Sequence, residues 1–285
     1  MDIATRWLPS GLPEDYTYVL VHVEARTPSA AFDLGRAKVD TLRASWSIMQ
    51  RPTQTRSFGR PPPPLSVIRW GPLSTIHTVE GSPCDGVAWI DESFRPNEPT
   101  HQVSSASVLR KQEAWVRKRL VALNVRPKLE RLLRGYVSAL DNRDTSPAFV
   151  ELWSVFEHLT GGLARNGGYE TNLRKAKACF QFSDETSSNW FWQELKHLHR
   201  LRNSLIHRAY AGLGGERDER HERRMRVQQL RWIVEGIFRF LLANVHSVGS
   251  LERTYELLDL PLSPVLLRSR RKLYSQPIRL HSPPK

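Results

Sequence analysis

The sequence predicts an α+β chain, with a small N-terminal α+β region followed by an all-α helical bundle. Three observations predict this. Val-rich and aromatic-rich short runs are confined to the first hundred residues. A proline run, RPTQTRSFGRPPPP at 51–64, interrupts them. From about residue 103 strand patterns stop, and long amphipathic runs of helical period take over. The chain is 285 residues long and 40% hydrophobic, enough for a real core and for one large or two smaller domains.

Taken in order, YTYVLVHVEA at 16–25 reads as a strand. In 30–50, Phe32, Leu34, Val39, Leu42, Trp46 and Met49 recur at roughly helical spacing, and Pro52 ends the run. Four consecutive prolines exclude a helix or central strand over 51–64 and predict an extended linker or loop. The runs 65–70, 75–80 and 87–91 are three short strand candidates separated by turn residues. No chemical motif stands out in 1–100.

Beyond 103, helices are expected over 104–124 and 127–141, with a break or kink at Pro127. Asp144 to Ser146 offer a cap and Pro147 an early helical position for a helix over 147–160, which Gly161 and Gly162 stop. A short helix follows near 170–180, then helices over 186–208 and about 217–246, and a short one near 250–259. The charged run ERDERHERRMR reads as a solvated helical face with i,i+4 Glu–Arg pairs. The bundle is bounded at 103–260, and 261–285 is a basic, proline-punctuated tail.

Lys and Arg exceed Asp and Glu by 42 to 29, a net charge of +13, which favours a polyanionic partner with nucleic acid first. Cys84 and Cys179 are far apart and form no ligand spacing. No metal and no cofactor are expected, since GLGGER at 212–217 fits neither a dinucleotide nor a Walker loop. No run approaches the roughly 18 apolar residues of a membrane span, and the first residues do not form a secretory signal. The expectation is a cytoplasmic protein without a membrane partner.

The helix expected over 186–208 carries an anomaly. With Leu195 at zero, Phe191, Leu198, Leu205 and Ile206 fall in an arc of about 100° that defines the core face. Arg202 lands inside that arc, about 20° from Leu195. A charge aimed at a core needs a partner. Asn203 and His207 lie one turn apart on the flank of this face, and His199 borders it. On the helix 147–160, Glu157 flanks a stripe of Phe149, Leu152, Trp153, Phe156 and Leu159. Its carboxylate is expected to meet the Arg202 guanidinium across the two helices as a semi-buried, bidentate pair. Histidine exchanges protons near neutral pH, and arginine matches phosphate oxygens. Together they suit metal-free RNA cleavage by attack of a 2′-hydroxyl on its own phosphate. A purely structural Arg–Glu pair with a nearby surface histidine fits the same spacing.

RNSLIH at 202–207, followed by Arg208, resembles the Arg-x4-His signature of HEPN domains. FVELWSVFEHLTGG at 149–162 resembles the preceding helix of the Apea-like HEPN group. The resemblance covers roughly 105–246. It implies a HEPN-type bundle that dimerises, with two such motifs facing one another across a cleft. It also implies metal-independent endoribonuclease activity that leaves a 2′,3′-cyclic phosphate, in anti-phage defence or a toxin–antitoxin setting. By that resemblance His207 is the general acid/base, Arg202 the phosphate clamp, Asn203 an orienting residue and Glu157 the partner of Arg202. Arg200, His199 and Arg208 are weaker RNA-binding candidates, and Arg200 with His207 offers an alternative Arg-x6-His register. The implied partners are RNA, a second copy of the chain, and an antitoxin or phage-derived trigger. Some members of the family are catalytically silent and only bind RNA, nucleotides or proteins. The chain is also compatible with a shortened form of a longer architecture.

Overall fold

The computed structural model describes residues 19–49, 65–66, 68–71, 73–90, 105–161, 168–182, 184–208, 217–244 and 278–279. Within them the chain is mostly helical, with a small antiparallel hairpin near the N-terminal end. The order is α1 (Pro28–Ser47), β1 (Leu73–His77), β2 (Pro83–Ile90), α2 (Ala106–Val121), α3 (Arg126–Asp141), α4 (Thr145–Leu159), α5 (Gly168–Ala178), β3 (Phe180–Gln181), α6 (Glu185–Arg208), α7 (Arg217–Ala243) and β4 (Ile278–Arg279). The segments expected at 51–64 and 250–259, and the tail apart from β4, lie outside the described residues.

The centre of the bundle is α4. Asp144 caps it by accepting from Ser146 N at 3.0 Å, which holds one of the orphan amides of the first turn. Its buried face runs Phe149, Leu152, Trp153, Phe156 and Leu159 at helical spacing. Gly161, at φ 114°, takes the left-handed conformation that stops the helix. On one side α4 packs against α3, which buries Leu129, Leu132, Leu133, Tyr136 and Leu140. On the other it packs against α7, which buries Val227, Leu230, Val234, Ile237, Phe238 and Leu241. The break before α3 falls at 122–125, and Pro127 sits in that helix's first turn, where its missing N–H costs nothing.

Two buried arginines tie the N-terminal stretch to the bundle. Arg43, on α1, is 2% exposed. It contacts Asp40 at 2.7 Å and forks onto both carboxylate oxygens of Asp141 on α3 at 2.7 and 2.9 Å. Its Nε donates to the carbonyl of Ile68 at 2.9 Å. Arg231, on α7, donates to Glu235 at 2.6 Å and to the carbonyl of Leu65 at 2.7 Å, while Tyr136 donates to the same Glu235 oxygen. Leu65, Ala44 and Ile48 belong to the same core as α3, α4 and α7. The boundary expected near residue 100 therefore does not divide the core.

These bonds also explain why the described residues of 65–70 form no strand. The carbonyls of Leu65 and Ile68 are taken by guanidinium groups, and Ser66 donates its amide to Leu140 O at 3.0 Å, so these three groups are not available to a ladder. The strand expected at 16–25 is likewise not formed over its described part, 19–25. Val19 and Leu20 are exposed, and Lys38 Nζ holds the carbonyl of His22 at 2.8 Å. A hairpin does form at the other two candidates, 75–80 and 87–91, but β1 ends at His77, so 78–80 lie in the turn, and β2 begins earlier, at Pro83. Leu73 pairs with Ile90 and Ser74 with Trp89, with an irregularity between Thr75 and His77. Gly81, at φ 98°, sits in its turn. The core face of α1 is Val39, Arg43, Ala44, Ser47 and Ile48, whereas Leu34 is exposed. The two-residue strands β3 and β4 pair in parallel, a feature with no sequence signal after residue 103.

Candidate functional site

The expected site lies where α4 meets α6. Asp184 caps the start of α6 through Ser187 N at 2.7 Å. The helix then buries Phe191, Leu195, Leu198 and Leu205, which sets its rotation. That rotation brings Arg202 to the seam with α4. Its side chain is 31% exposed and that of Glu157 is 17% exposed.

The two charges meet loosely. Arg202 NH2 stands 4.0 Å from Glu157 Oε1. The expected bidentate fork is absent for two geometric reasons. Arg202 NH1 donates instead to Asn203 Oδ1 at 3.1 Å. Glu157 Oε1 accepts from the indole N–H of Trp153, one turn back on α4, at 2.8 Å. The carboxylate is thus oriented by its own helix, and the guanidinium by its own neighbour. Arg202 retains N–H donors and solvent access, so it can bind a further anion.

His199, one turn before Arg202, sits between two rings. Tyr169 of α5 stacks on it at 3.9 Å between centroids and 5° between planes. Trp153 approaches at 5.8 Å and 46°. Burial holds the His199 imidazole below the ordinary histidine range, and the Arg202 cation lowers it further, against the opposing pull of Glu157. The result is a closed circuit of four side chains with a fifth against it. Trp153 bonds Glu157, Glu157 faces Arg202, Arg202 lies one turn from His199, and His199 returns to Trp153, with Tyr169 as the outer cover.

Of the remaining expected residues, Arg200 is exposed, as its position off the core face requires. His207 and Arg208 lie in the last turn of α6, and their side chains fall outside the described residues. The charged start of α7 is tied down at Arg226, which bonds Glu194 of α6 at 2.9 Å and stands 3.6 Å from Glu222. No group of metal-ligating side chains occurs among the described residues. No described helix is long and apolar enough to cross a membrane.

Sequence reasoning missed Tyr169. It sits at the start of α5, beyond a glycine-rich stretch of sequence, and contacts the site only through tertiary packing. Its one sequence signal is its type, an aromatic residue in an otherwise polar stretch. Compared with family models, curated proteins and solved structures, the chain matches none.

Proposed function

We propose that this chain is a metal-independent endoribonuclease of the HEPN type, working as a homodimer in anti-phage defence or a toxin–antitoxin system. The observation that supports this reading is the half-exposed Arg202, steadied by Asn203 and Glu157 at a seam that also carries His199. A guanidinium held in place with donors to spare is suited to a phosphate whose charge grows in the transition state. In the reaction the 2′-oxygen attacks the adjacent phosphorus and loses its proton to a base. The bond from phosphorus to the 5′-oxygen breaks, and an acid protonates that oxygen. The products are a 2′,3′-cyclic phosphate and a 5′-hydroxyl, with no redox change. His207 supplies the base or acid, and the His207 of a second copy supplies the other role. The net charge of +13 favours approach of RNA.

The test is cleavage of total RNA in EDTA by the wild-type chain, His207→Ala and Arg202→Lys, each checked for folding. Cleavage by wild type alone, leaving cyclic-phosphate ends, is expected. Equal cleavage by His207→Ala overturns the assignment. RNA binding without cleavage favours the second reading, a catalytically silent RNA-binding module. That reading is favoured by the aromatic stack at the same seam, which needs no chemistry to hold a nucleotide.

A further inference from the structure

The aromatic column beside Arg202 has an open end. Trp153 is 2% exposed and forms its base. His199 is the middle ring. Tyr169 covers His199 face to face, yet 46% of Tyr169 is itself exposed. One ring face of Tyr169 is occupied by His199, and nearly half of the residue remains open to solvent. The column also stands next to a guanidinium, through His199 and Arg202 on successive turns of α6.

We propose that Tyr169, backed by His199, is a stacking platform for one unpaired RNA base, adjacent to the phosphate held by Arg202. This rests on the RNA reading above but not on cleavage. A planar base stacks on an exposed aromatic face, while the neighbouring cation takes the phosphate of the same or the next nucleotide. The occupant is single-stranded, because a paired base in a helix has no free face to offer. Purines, with the larger ring surface, are favoured over pyrimidines. No base-edge hydrogen bond is invoked, so the preference is for base size rather than for a sequence.

The experiment measures affinity rather than turnover. Short single-stranded RNA carrying 2′-O-methyl sugars cannot undergo the attack, so the wild-type chain can be titrated with it directly. Tyr169→Ala is expected to weaken binding on the order of ten- to hundredfold, the usual worth of one base–aromatic stack. Tyr169→Phe and Tyr169→Trp are expected to retain it. An RNA with one abasic site, placed at each position in turn, is expected to bind the wild-type chain as weakly at one position as intact RNA binds Tyr169→Ala. Unchanged affinity in Tyr169→Ala overturns the platform, and so does the absence of any RNA binding. Cleavage that survives Tyr169→Ala together with unchanged affinity sinks the platform and spares the nuclease. Tyr169-dependent binding by a chain that never cuts RNA does the reverse.

Discussion

Trp153 donates its indole N–H to Glu157 one turn along α4, and the same carboxylate oxygen then faces Arg202 at the longer distance of 4.0 Å. The shorter bond sets the position of Glu157, and the ion pair follows from it. This ordering separates a site from a structural salt bridge. A partly buried pair whose charged atoms stand 4.0 Å apart, with no hydrogen bond between them, contributes less than about 1 kcal/mol to stability. Glu157→Gln, which keeps an oxygen for Trp153 to donate to, is expected to shift chemical unfolding by no more than that. Trp153→Phe removes a buried bond and leaves a void, and is expected to cost about 1–3 kcal/mol. If Glu157→Gln proves as costly as Trp153→Phe, the pair is structural and the phosphate clamp loses its rationale.

Arg43 should be among the most sensitive polar positions in the chain. Its guanidinium serves Asp40, Asp141 and the carbonyl of Ile68 at once, and is almost wholly buried. Removing it takes the fork from Asp141 and the donor from the Ile68 carbonyl, while Asp40 keeps the Trp70 indole at 2.8 Å, at a cost of about 3–5 kcal/mol. Arg43→Lys cannot reproduce the fork and should also destabilise. Arg36 lies on the same helix, 3.9 Å from Asp40 and 54% exposed. Arg36→Met is the control, expected to shift urea unfolding by less than about 0.5 kcal/mol. Equal effects at the two positions would mean that α1 is not tied to α3 in the folded protein.

Two helical glycines should respond to alanine with opposite signs. At Gly236 on α7 an added Cβ would lie 2.5 Å from the Phe180 ring. Phe180 is itself wedged against Phe191 and Trp232, so it cannot yield freely. Gly236→Ala is expected to destabilise by about 1–3 kcal/mol, more than its gain in helix propensity restores. Gly35, inside α1, has nothing within 4 Å of that position. Gly35→Ala should stabilise by about 0.5–1 kcal/mol. Thermal unfolding of the two variants checks both signs, and a stabilising Gly236→Ala would mean that α7 and Phe180 are less tightly packed than described.

The helices were legible because apolar residues recur at helical spacing in α3, α4 and α6, and because Asp144 and Gly161 punctuate α4. The approach of Glu157 to Arg202 was legible for the same reason, since each flanks a stripe that must face the other helix. The absence of the bidentate fork was not legible. It depended on Trp153 and Asn203, neighbours on each residue's own helix that compete for the same atoms. Tyr169 and the two tying arginines were hidden for a different reason. Their partners are distant in sequence, and a helical projection carries no information about contacts between elements. Arg43 in α1 looks like any surface arginine until α3 and 65–70 are placed beside it. The absence of a strand over the described residues of 65–70 follows from that omission, because the Leu65 and Ile68 carbonyls are committed to arginines.

The depressed proton affinity of His199 gives a pH signature. In an unfolded chain a histidine protonates near its ordinary value of 6.5. In the folded chain, burial and Arg202 delay protonation of His199 to lower pH. Below about 6.5 the unfolded state therefore binds more protons than the folded one. The stability contributed by His199 is complete above that value. It is lost progressively as the pH falls towards the lower, folded value. His199→Phe keeps a ring between Trp153 and Tyr169 but does not titrate, so its stability should fall less steeply over this window. Glu157 is the neighbour that favours the protonated ring. Glu157→Gln should then lower the His199 transition further, visible as a shift of its imidazole resonances to more acidic pH. An upward shift in that variant would mean that the carboxylate does not act on the ring, and the circuit joining Trp153, Glu157, Arg202 and His199 would be broken at that link.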